Sequence, residues 1–129
     1  MPKNAFEDNR PSVAIGHVSV RVNKVAETTD FLVKLGLRSI HQSENFAVLE
    51  LRGGTHLVLR PAEENITPGT ASPFDLMVDD VETARKIYGD AGMDPSAIEK
   101  GKIHQWFTLS DPSGYEITVT SSHAGGRAV

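Results

Sequence analysis

Three side chains carry the most direct chemistry in this sequence: His17, His56 and Glu116. Two imidazoles and one carboxylate are a donor set for a divalent ion, and they leave coordination positions open for a substrate. Such a set suits Fe(II), Mn(II), Ni(II) or Zn(II). An ion held there would act as a Lewis acid, polarising a carbonyl or holding two adjacent oxygens. Without an ion, Glu116 is a candidate catalytic base with His56 or His104 as partner, provided its cavity is dry enough to raise its pKa. The bland alternatives are an ordinary ion pair between His56 and Glu116 and a hydrogen-bonded polar role for His17. Arg21 and Arg60 offer paired hydrogen bonds to a carboxylate or phosphate, or stand as solvated strand-end charges. Trp106 offers a flat face for stacking, or packs in the core or a dimer interface. Thr118 adds a hydroxyl to the same ligand-binding group, and His123, in the tail, carries little weight.

These residues need strands to aim them. From Gly16 to Val22 the chain alternates strictly, with Val18, Val20 and Val22 on one face and His17, Ser19 and Arg21 on the other. The next stretch carries Val25, Thr28, Phe31, Leu32 and Leu35 at helical spacing, with Asn23 as the expected N-cap and Gly36 as the stop. After it, residues 45–51 and 55–60 read as two strands joined by a tight hairpin at Gly53-Gly54.

The pattern then repeats. At a shift of 56 residues, Val22-Asn23-Lys24-Val25 falls on Val78-Asp79-Asp80-Val81, and Leu35-Gly36-Leu37 falls on Ala91-Gly92-Met93. At a shift of 60, the run Gly54 to Leu59 falls on Gly114 to Val119, which makes His56 and Glu116 equivalent. The chain is therefore read as two tandem βαβββ modules, an α+β fold, with short second strands near residues 38–42 and 96–99. Module one spans 14–61, a linker 62–72 and module two 73–121, within a single domain 14–121. Residues 1–13 form a loose lead-in and 122–129 a tail. Val18, Val20, Val22, Leu57 and Leu59 belong under the first helix, and Phe74, Leu76, Val78, Ile117 and Val119 under the second. The opposite faces are polar, and two of them meeting edge to edge enclose a cup.

Composition narrows the classes. Thirteen Lys and Arg against seventeen Asp and Glu give a net charge of -4 with no basic stripe, so nucleic acid is not an expected partner. There is no cysteine, which excludes a disulfide framework, a cysteine-ligated zinc and a cysteine nucleophile. The apolar runs are far shorter than the roughly twenty residues of a membrane span, and the opening residues lack the apolar core of a signal peptide, so a cytoplasmic protein without a membrane partner is expected.

The segments GHVSVRV, GGTHLVLRP, FDLMVDDVETARKIYGDAGM and above all DPSGYEITV, at Asp111 to Val119, resemble the vicinal oxygen chelate superfamily. That superfamily includes glyoxalase I, extradiol dioxygenases and the fosfomycin and bleomycin resistance proteins. The resemblance covers nearly all of residues 14–121. It implies two βαβββ modules whose eight strands form one cupped mixed sheet, often completed in a homodimer. In metal-using members the ion takes one side chain from the first and last strand of each module. Mapped here, those positions are His17, Val58, Pro73 and Thr118, so three of the four depart from the ligand pattern. His56 and Glu116 each stand two residues before the usual position and form, with His17, a displaced set. The expected function is binding of a small oxygen-rich or anionic molecule in the cup. The alternative is a lyase, isomerase or dioxygenase using one divalent metal at His17, His56 and Glu116, and a ligand-free scaffold dimer is a third, weaker reading.

Overall fold

Strand β1 (His17–Val22) opens the ordered fold, and its alternation survives intact, with Val20 and Val22 buried and His17 and Arg21 exposed. The computed structural model describes residues 8–122 and 124–129; residues 1–7 of the expected lead-in and His123 lie outside the described residues. Helix α1 (Val25–Leu35) follows, then β2 (Arg38–Ser43), β3 (Phe46–Glu50) and β4 (His56–Pro61). The second module repeats the order with β5 (Leu76–Val78), α2 (Val81–Asp90), β6 (Glu99–Lys100), β7 (Gln105–Ser110) and β8 (Glu116–Ser121). The strands form two four-stranded mixed sheets, β1-β4-β3-β2 and β5-β8-β7-β6. In each, the first strand runs parallel to the last and the others are antiparallel. The identical order is the structural form of the sequence repeat.

Four local expectations are corrected. Asn23 is not the cap of α1; Lys24 holds that position without a side-chain bond, whereas its repeat partner Asp80 accepts from Thr83 N–H at 3.0 Å. The Asn23 amide is needed elsewhere, as described below. The hairpin between β3 and β4 is wider than two residues, because Leu51 and Thr55 close a loop containing a single 3-10 turn, Arg52–Gly54. Strand β6 lies at Glu99–Lys100 rather than 96–99: Pro95 has no N–H to donate, and Ser96 is held by Thr108 and by the guanidinium of Arg85. Strand β5 begins at Leu76, so Phe74 packs against the core from outside it.

The helix-bearing faces of both sheets share one core. Leu32, Leu49, Leu57, Leu59, Phe107, Leu109, Ile117 and Val119 are essentially inaccessible and belong to one cluster. Polar joints fix the modules to each other on this side. The Asn23 amide donates to Ser113 O at 2.9 Å, its Oδ1 accepts from Ile66 N–H at 2.8 Å, and its own N–H donates to Ser113 Oγ at 3.0 Å. Ser113 Oγ also meets Thr28 Oγ1 at 3.2 Å, both groups being buried. Tyr115 OH donates to Arg21 O at 2.9 Å and Tyr88 OH to Leu35 O at 2.8 Å. Asn23→Ala leaves a carbonyl and an N–H without their partner, and urea denaturation is expected to show a loss of about 1–3 kcal/mol.

The turn before β8 is built by Asp111, whose Oδ1 accepts from the N–H groups of Ser113 and Tyr115, both at 2.9 Å. Gly114 at φ 99° completes it, and a Cβ there would stand 3.1 Å from Pro68 Cα. Burial pushes the Asp111 carboxyl above its ordinary range, against the pull of the backbone N–H groups. The folded chain therefore holds this proton more tightly than the unfolded chain, so this group's contribution to stability declines as pH rises from the unfolded pKa through the folded one. Asp111→Asn keeps the acceptor oxygen without the charge. Thermal melts are expected to show its stability relative to the parent highest near neutrality and falling as the pH approaches the ordinary aspartate value of about 4.

Candidate functional site

On the face of the first sheet away from α1, the strand register lines up three rows. His17 pairs with His56, His56 with Glu50, and Glu50 with Arg38. Ser19 pairs with Val58, Val58 with Val48, and Val48 with His41. Arg21 pairs with Arg60, whose guanidinium lies 4.7 Å from the centre of the Phe46 ring, and Phe46 pairs with Ser43. One end of the face is thus a histidine and carboxylate row, the middle is floored by two valines, and the other end carries two arginines. Four residues separate His17 from Arg21, about 13 Å at roughly 3.3 Å per residue.

The histidine row is tied together. His56 Nε2 and Glu50 Oε2 are 2.9 Å apart, Arg38 reaches the other Glu50 oxygen at 3.3 Å, and the His17 and His56 rings stand edge to face at 5.9 Å. The carboxylate beside His56 is therefore Glu50. Neither Glu50 nor Phe46 stood out as a site residue in the sequence, although a hairpin centred on Gly53 places them opposite His56 and Arg60. At the other end Arg21 donates to Pro61 O at 3.3 Å, and both arginines are exposed.

Glu116, Thr118, Trp106 and His104 belong to the second sheet. Glu116 starts β8, exposed, with its backbone bonded to Thr70 and Ser72 of the linker. Thr118 faces Thr108, and Trp106 faces Thr120, which in turn faces Met77. The Trp106 ring lies 5.8 Å from that of His104 and rests on Gly101, where a Cβ would come within 3.0 Å of it. The polar face of this sheet carries Glu99 and Glu116, opposite in charge to the arginines of the first. Among the described residues, no three His, Asp or Glu side chains of one chain converge as a metal site, so His17, His56 and Glu116 are not assembled within the chain.

No family model matches the sequence, and no curated protein does. Solved structures do match. The lactoylglutathione lyase of Agrobacterium tumefaciens superposes with a TM-score of 0.72 at 15% identity, over 92% of this chain and all of that one. A member of the glyoxalase/bleomycin resistance protein/dioxygenase superfamily from Sphaerobacter thermophilus gives 0.69 at 19% identity, over 85% and 98% of the two chains. The chain has the vicinal oxygen chelate fold. An antibiotic binding protein from a Streptomyces species shares this fold with a TM-score of 0.72 at 20% identity, over 87% of this chain and 98% of that one. Proteins with this frame thus include a lyase and a binder, so the frame by itself assigns neither role. No helix among the described residues is long and apolar enough to cross a membrane.

Trp106 is the only tryptophan, so its fluorescence reports on the second polar face alone. Gly101→Ala is expected to displace the ring and shift the emission maximum, while the melting temperature moves by only a few degrees, as for a change of about 1 kcal/mol.

Proposed function

We propose that this protein binds a small oxygen-rich anion on the polar face of its first sheet, with the matching face of a second copy's second sheet closing the cup. The observation that carries this reading is the pairing of Arg21 with Arg60, side by side in register on neighbouring parallel strands. Two guanidiniums in that relation offer a fork of donors to a carboxylate or phosphate. Phe46 holds the Arg60 group against its ring, which limits the freedom lost on binding. About 13 Å away by strand rise, the histidine row offers donors and acceptors for the far end of an elongated ligand. Within the chain the modules are joined through their helix-bearing sides, which leaves the polar faces to be covered by another subunit. The acidic character of the second face supports its apposition to the basic first face. Trp106 and Thr118 then line the opposite wall.

A second reading rests on the close His17 and His56 rings. Within one chain His56 is engaged by Glu50, and among the described residues no group of three His, Asp or Glu side chains could hold an ion. A fit requires Glu116 from a second copy, and the resulting protein would be a lyase, isomerase or dioxygenase of the metal-dependent kind.

Calorimetric titration with dicarboxylates and organic phosphates is expected to give binding that weakens about 10- to 100-fold in Arg21→Ala and in Arg60→Ala, as the loss of a charge-assisted bond of about 1.5–3 kcal/mol implies. Unchanged affinity in both variants sinks the anion reading. Light scattering is expected to give twice the chain mass, and metal analysis after loading to give less than one ion per chain. One ion per chain that disappears in His17→Ala, His56→Ala and Glu116→Ala would move the assignment to the enzyme.

A further inference from the structure

The module joint exists twice, once in each half of the repeat, and the two versions differ. Around Asn23, Tyr115 inserts its ring between the turn before β8 and the end of β1, bonding to Arg21 O. The repeat equivalents of Tyr115, Arg21 and Asn23 are Thr55, Met77 and Asp79. The backbone there is alike, with Gly54 at φ 92° matching Gly114 at φ 99°. Thr55 is too short to reach Met77, and its hydroxyl is turned to Ile15 O at 2.7 Å. The place that Tyr115 fills in one half is left open in the other. A cavity of about 800 Å³ lies there, walled by Val18, Leu35, Leu57, Phe74, Leu76 and Tyr88.

We infer that this cavity is a second binding site, taking an uncharged apolar molecule of one or two rings. It is separate from the polar face of the first sheet, because Val18 and Leu57 point to the side of their strands opposite His17 and His56; at the entrance, Met77 borders the polar face of the second sheet. Its volume lies in the range of small-molecule sites, roughly 300–1,000 Å³. The wall polar group, Tyr88 OH, is already bonded to Leu35 O and asks nothing of a ligand. At the mouth, Arg52 and Asp79 neutralise each other across 3.0 Å, and Asp75 leaves an excess of negative charge. That charge turns away anions, the class the arginine face attracts. Exposed Ile15 and Met77 continue the apolar surface outward to the entrance.

The test is titration of the full chain with the neutral fluorophore N-phenyl-1-naphthylamine. Saturable enhancement at one probe per chain is expected, undiminished by excess inorganic phosphate. Thr55→Tyr copies the plug of the other half and is expected to weaken binding at least tenfold; Val18→Phe fills the same space from the facing strand and guards against a folding failure of the first variant, each being checked by circular dichroism. Absence of saturable binding by the parent protein, affinity unchanged in a folded filled variant, or displacement of the probe by phosphate would each overturn the inference.

Discussion

The joint made by Asn23, Thr28 and Ser113 is the constraint on which the arrangement of this molecule depends. Its polar atoms are buried or half-buried and mutually satisfied, so a small rotation of one module on the other would leave donors and acceptors without partners. Apolar packing alone would tolerate a range of placements. The joint selects one, and it does so on the helix-bearing side of both sheets. Everything functional follows from that choice, because a strand that commits one face to the core has only the other to offer.

The face on offer in the first sheet is ordered by strand register. Pairing across β1, β4 and β3 converts residues scattered from 17 to 60 into rows, each with its own chemistry. A valine floor separates the basic row from the histidine row, so the proposed ligand would have two unlike ends. In the proposed dimer the second sheet would answer with carboxylates, hydroxyls and one indole, and complementary charge of this kind orients an encounter more than it strengthens the final complex.

The fold was legible in the sequence because it is written twice. Period-two valines, a helix stopped by Gly36 and a matching Asp-Pro-Ser-Gly turn identified both modules and the sides their strands bury. The candidate site was legible only in part. Alternation places His17, Arg21, His56 and Arg60 on one face, as the strand register does, yet their neighbours come from β3, and finding Glu50 and Phe46 required the centre of a hairpin to be placed to within one residue. Asn23 misled for a related reason: an asparagine before a helix offers the same acceptor to a helix start and to a distant serine, and only tertiary packing decides between them. The short β6 escaped because a proline and a serine bonded from three sides displaced the strand along the chain.

Duplication also left the two joints mechanically unequal. The one at Asn23 is largely shielded from solvent, whereas the Asn23 equivalent, Asp79, makes an ion pair with Arg52 in which both partners are well exposed. Exposed pairs hold weakly and are screened by dissolved ions, while buried hydrogen bonds are not. The Arg52–Asp79 contact is therefore the one that dissolved salt would weaken first. Amide exchange around Leu51 to Thr55 would report that weakening, whereas the bonds around Asn23 would keep their protection.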